Sequence, residues 1–148
     1  MDLVAWLKTL NADPFDDTAP LLNVYQRVPT DEEIRAAQGH PFVRVGGLPE
    51  NSIIIMDPLT AISTRLVDVL IWQEPDDFAR PRLNEDGEPI QALNLWLAVK
   101  QAPKFVTAGA YGDLFRGLRY SSSERPHVPD TRNHIEGRVS FRLILHNP

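Results

Sequence analysis

Pro89-Ile90-Gln91-Ala92-Leu93-Asn94-Leu95-Trp96-Leu97-Ala98-Val99-Lys100-Gln101-Ala102-Pro103 is the stretch on which the fold class turns. Leu93, Leu95, Leu97 and Val99 alternate as on a strand, while Ile90, Leu93, Trp96, Leu97 and Lys100 recur at helical spacing. Both periods fit. Length and the content of Ala, Leu, Gln and Lys favour a helix over Ile90–Ala102. Pro89 stands where a first helical residue tolerates a missing N–H, and Pro103 marks the end. As a helix the segment makes the chain α+β; as a strand it makes the chain mostly β.

On its N-terminal side, Glu74 to Glu88 is polar, carries Pro75, Pro81 and the turn pair Asp86-Gly87, and reads as a long exposed loop. Before that loop lies the clearest strand in the chain, Thr64 to Gln73. There Val67, Val69 and Ile71 alternate with Leu66, Asp68, Leu70 and Trp72, so both faces are mostly apolar, as in a central strand covered on each side. Ser52 to Met56 is too short and too uniformly apolar to classify by period. Asp2 to Leu10 places Leu3, Trp6, Leu7 and Leu10 at helical spacing, with Asp2 as N-cap. Leu21 to Val28 alternates as a strand stopped by Pro29. Thr30-Asp31-Glu32-Glu33 is a capping box opening a short helix that ends at Gly39. His40 to Val45 then returns as a strand closed by Gly46-Gly47.

On its C-terminal side, Lys104 to Tyr120 resists assignment, with Leu114 to Tyr120 entering a strand. Ser121 to Asn133 reads as a polar loop. Arg138 to His146 sets Val139, Phe141, Leu143 and Leu145 on one face against Arg138, Ser140 and Arg142, a half-buried strand. The expected fold is therefore α+β: an antiparallel or mixed sheet of about four to five strands, packed by an N-terminal helix and a second helix. Residues 1–148 fit one domain, long enough to bury its own core.

Composition narrows the function classes. The chain has no cysteine, which excludes a disulfide scaffold, a thiol nucleophile and a thiolate zinc site. Met1-Asp2-Leu3-Val4 has no basic, then apolar, leader pattern, and no apolar run is long enough to span a membrane, so a cytoplasmic site of synthesis is expected. The net charge of −5, with scattered Lys and Arg, argues against nucleic acid as the main partner. Thirteen prolines stiffen the loops, which suits them to making contacts.

Candidate chemistry is thin. His127, Asp130 and His134 are metal-ligand types, but Pro129 breaks any helical spacing between them and Arg125 and Arg132 would repel a cation. Ser121, Ser122 and Ser123 lack a nucleophile elbow, and a triad with Asp113 and a histidine cannot be built from the sequence. Asp76 with Asp77, and Glu85, Asp86 and Glu88, lie in an exposed loop where a carboxylate has no cause to shift its pKa. Gly46-Gly47 runs into Leu48-Pro49 and makes no phosphate loop, and His40 reads as a turn residue. No enzyme activity, metal or cofactor is expected.

Asn23-Val24-Tyr25-Gln26-Arg27-Val28-Pro29, a helical insertion, and then His40-Pro41-Phe42-Val43-Arg44-Val45-Gly46 resemble a signature of phage tail terminator (tail completion) proteins. In that family a strand ending in Val-Pro leads to a Pro-aromatic-Val strand that finishes at glycine. Leu66 to Trp72 is similar to its central strand, Ile90–Ala102 lies where it has a packing helix, and Ile135 to Leu143 resembles its closing strand. The Thr30–Gly39 insertion is longer than the turn that pattern has. The resemblance implies a homo-oligomeric ring, expected to be a hexamer. It would cap the tail tube in the virion tail, with the tail-tube protein and the head connector protein as partners, no sequence-specific nucleic-acid contact and no membrane. Phe78, Arg80 and Arg82 are the expected subunit contact, because aromatic and Arg side chains dominate hot spots. Other head–tail connector, tail-tube or baseplate proteins fit the same profile, as does a small inhibitor or immunity-type binding protein.

Overall fold

The computed structural model describes residues 2–20, 22–57, 60–74, 82–128 and 134–147. Its elements run α1 (Asp2–Leu7), β1 (Val24–Tyr25), α2 (Asp31–Ala36), β2 (Phe42–Asp57), β3 (Thr60–Gln73), α3 (Ile90–Phe105), α4 (Gly109–Gly117), β4 (Leu118–His127) and β5 (Ile135–Asn147). The five strands form one mixed sheet in the order β1-β2-β3-β5-β4, parallel only between β1 and β2. The chain is α+β, as the sequence predicts.

The deciding stretch is a helix. Gln91, Ala92, Leu95, Trp96, Val99 and Ala102 of α3 are buried, a helical stripe, while Leu93 and Leu97 pack at its margin. The helix runs three residues beyond the expected stop. Pro103 removes only the bond its own nitrogen would have given to Val99, and the Val106 N–H still reaches the Ala102 carbonyl at 2.8 Å. Pro89 is the cap, not the first helical residue.

β3 is central, between β2 and β5. Val67, Val69 and Ile71 are fully covered, and with Val43, Val45, Val139 and Phe141 they meet Leu3, Leu7, Leu95, Val99 and Phe115 in the core. Trp6 packs edge-on to Phe115 with ring centroids 4.8 Å apart, which joins α1 to α4. Leu66, Asp68, Leu70 and Trp72, on the opposite face, are only partly covered. The strand is thus sealed on one side and half covered on the other, where its sequence suggests cover on both. Ile34 of α2, with Val28 and Pro29, meets Phe42, Leu70 and Trp72 at one corner of that face, leaving a small cleft of about 60 Å³.

Several boundaries differ from the sequence reading. Leu21 to Val28 contributes only two strand residues, paired to Val43 and Arg44. β2 does not close at Gly46-Gly47 but continues to Asp57, taking in the unclassified Ser52–Met56 run, with a register irregularity between Gly47 and Asn51. Lys104 to Tyr120 contains α4, so the strand begins at Leu118 and not Leu114. Gly112 permits that helix start, because a Cβ there would lie 2.5 Å from the Thr107 carbonyl carbon. Ser121 to His127 is strand and not loop. β4 is an edge strand with mostly exposed, polar side chains, so no apolar alternation betrays it. The capping box of α2 is present as predicted: Thr30 Oγ1 accepts from the Glu33 N–H at 3.3 Å, and Glu33 Oε1 accepts from the Thr30 N–H at 3.1 Å.

Candidate interaction surfaces

The partly covered face of the sheet is built in rows fixed by the strand register. Phe42, Trp72, Glu136 and His127 form one row, and Tyr25, Arg44, Leu70, Arg138 and Glu124 the next. Asp68, Ser140 and Ser122 follow, and then Leu66, Arg142 and Arg119. Apolar and charged groups interleave here. The Ser140 hydroxyl donates to Asp68 Oδ1, while the Nε atoms of Arg44 and Arg138 are buried with no hydrogen-bond partner among the described residues. The last row sets two guanidinium groups directly opposite each other. With Tyr120 and Ser121 they line an open hollow of about 400 Å³.

The helix side carries a different surface. Trp6, Phe15, Ala98, Gln101, Ala102, Phe105 and Val106 line an apolar groove of about 460 Å³. Phe15 and Phe105 stand at it 73% and 67% exposed. Phe15 is held there by Asp13, which is buried. One Asp13 carboxylate oxygen accepts both the Phe15 N–H at 3.0 Å and the Asn94 amide of α3 at 3.2 Å. Lys104 sits over the Phe105 ring, 5.7 Å from its centroid.

A third feature is the turn before α3. Asn84 Oδ1 accepts from the backbone N–H groups of Asp86 and Glu88, at 3.0 and 2.8 Å. The Asn84 N–H donates to the Glu88 carbonyl at 2.9 Å, and Gly87 takes the left-handed conformation at φ 77°. Glu88 accepts from the Asn84 amide and from Arg125 of β4 at 2.9 Å. Those two bonds hold its carboxyl below the ordinary value, so the group stays ionised as a tie. Glu85 and Asp86 project from this fixed turn into solvent.

The sequence-predicted candidates fall apart or serve structure. His134 is buried and stacked flat on Trp72, centroids 4.0 Å apart with the planes 3° from parallel. His127 lies exposed on β4, its Nδ1–H donating to the Arg125 carbonyl at 2.9 Å. Asp130 and Arg132 lie outside the described residues. Among the described residues no three metal-ligand side chains gather. The Ser123 hydroxyl pairs with Tyr120 at 2.8 Å and Asp113 with Arg116 at 2.8 Å. His40 Nδ1 lies 3.2 Å from Gln91 Oε1, linking the start of β2 to α3. Of the expected subunit contact, Phe78 and Arg80 lie outside the described residues, as do Asp76 and Asp77. Arg82 is exposed and reaches Asp16 at 3.5 Å, a contact worth little in water.

The groove and the arginine pair escaped the sequence reading for a common reason. Each joins segments distant in the chain, and the sequence does not state which residue of β4 faces which residue of β5. Phe105, two residues past the proline expected to end the helix, was a visible signal. Among the described residues no helix is long and apolar enough to cross a membrane. No family model matches the chain, and no curated protein matches it.

Proposed function

We propose that this chain is a structural subunit that assembles with copies of itself into a ring, the tail terminator of a long-tailed phage. The ring closes the tail tube and offers a surface to the head connector. In this reading the chain does no covalent chemistry.

The observation that carries the reading is the outline of the sheet. β4 begins at Leu118, opposite Leu143, and β1 pairs only near the start of β2. Past Leu143, β5 continues beside β3 to the pair Ala61↔Asn147, while β2 pairs with β3 out to Asp57↔Thr60. Three strands therefore run on as an arm about 15 Å long, its two outer strands without further partners among the described residues. One of them contains Ile53-Ile54-Ile55-Met56. A long unpaired edge is a hazard unless something pairs with or covers it. A neighbouring subunit is the natural cover. The order of elements also supports the tail-terminator form of the reading, since α3 stands where the resemblance calls for a packing helix.

A ring requires two different patches per subunit, each meeting the other on the next copy. The groove at Phe15 and Phe105, the charged sheet face and the arm supply unlike surfaces on one chain. The test is electron microscopy of the purified chain, alone and with a phage tail-tube protein. Rings with a central opening, and tubes whose growth stops when the chain is added, support the reading. A chain that stays monomeric, or that leaves tube length unchanged, overturns it.

The groove favours a second reading, a small binding protein of the inhibitor or immunity type. Two exposed Phe rings beside an apolar channel suit a foreign partner as well as a second copy. Such a protein remains a monomer or dimer until that partner is added.

A further inference from the structure

We propose that the guanidinium pair Arg119 and Arg142 is the receptor for the acidic turn Glu85-Asp86 of a second copy of this chain, a contact that specifies how the subunits of the proposed ring meet. The inference rests on the assembly reading and names the residues that carry it.

Arg119 and Arg142 are directly opposed across β4 and β5. Like charges in that position repel. Both are exposed, and among the described residues neither has an acidic partner within ion-pair distance. The strand register slips between Tyr120 and Ser122, leaving Ser121 as an extra residue beside the pair, a bulge of the kind that re-aims side chains. Two guanidinium forks and a hydroxyl around an open hollow are a donor set for an oxyanion, and a carboxylate meets such forks bidentately.

The occupant follows from charge and geometry within the same chain. The net charge is −5, which disfavours a polyphosphate partner. Glu85 and Asp86 are an exposed carboxylate pair on a turn already fixed by Asn84, Gly87 and the bridge between Leu83 and Pro89, so docking orders little. That turn cannot neutralise the arginines of its own chain. It is tied through Glu88 to Arg125, and Arg125 lies six residues along the bulged β4 from Arg119, about 17 Å in a strand. Donor and acceptor patches at opposite ends of one strand can meet only between copies, and repeated head to tail they give a ring or a filament.

Two variants test the contact by analytical ultracentrifugation at low salt, beside the wild type. Arg119→Glu turns the repelling pair into an internal ion pair and removes the receptor. Glu85→Lys with Asp86→Lys removes the occupant. All three substituted positions are exposed, and circular dichroism should match the wild type. Each variant alone is expected to lose the assembly. A 1:1 mixture should give a heterodimer, because one intact receptor and one intact turn remain. Assembly by either variant alone to the wild-type extent, or no heterodimer on mixing, overturns the contact. A wild type that stops at two copies, with the variants behaving as expected, supports the contact and refutes the ring. A wild type that is monomeric throughout refutes both.

Discussion

Arg119 and Arg142 hold like charges face to face, so the isolated chain carries a local cost that a single substitution relieves. Arg119→Glu is expected to raise the stability of the monomer by about 0.2–1 kcal/mol, read from urea unfolding at low ionic strength, with the gain shrinking in salt. No gain, or a loss, would mean that the two side chains do not oppose each other as the register has them. Glu33 is the second informative residue. It accepts from Arg27 at 2.7 Å and from the Thr30 N–H, and these bonds, Arg27 first, hold its carboxyl down to about 2 from an ordinary 4.5. A carboxyl depressed by folding contributes stability that is fully present above its unfolded pKa and is lost as pH falls through its folded one. The tie between α2 and Arg27 should therefore weaken between pH 4.5 and about 2. A carbon-detected NMR titration should place the Glu33 midpoint near the lower end. A midpoint near 4.5 would show the capping box and the Arg27 pair unformed in solution.

At the scale of elements, α4 depends on a close approach. Gly112 has no room for a Cβ against the Thr107 backbone, so Gly112→Ala should destabilise the fold by about 1–3 kcal/mol, despite alanine's better helix propensity. Thermal unfolding checks this, and an unchanged midpoint would contradict the packing of α4. Legibility in the sequence followed the same physics of cover. β3 and β5 were readable because apolar residues recur every second position along a face that meets helices. α3 was readable through its length and composition, although Leu93, Leu95, Leu97 and Val99 imitate a strand. Their alternation arises because Leu93 and Leu97 flank the helix's buried stripe instead of lying within it. β4 was not readable, since an exposed edge strand needs no apolar face and its serines and charges look like a loop. β1 was over-read because the alternation from Leu21 to Val28 continues past the two residues that find a partner. The surfaces were the least legible: Arg142 was visible as the polar phase of its strand, but the residue opposite it was not.

For the whole molecule, the outline matters more than any single side chain. One face of the sheet is sealed by α1, α3 and α4, the other is charged and half covered, and three strands reach past the rest. A chain of this shape has unlike surfaces in several directions, which is what the proposed head-to-tail assembly requires. His134 is stacked on Trp72 in this outline, and His127 stands on the edge strand. The most direct test of assembly is native mass spectrometry of the wild-type chain across a concentration series at low salt. A single closed species of several copies that persists on dilution is the predicted result. The mass of one chain at every concentration would contradict the account.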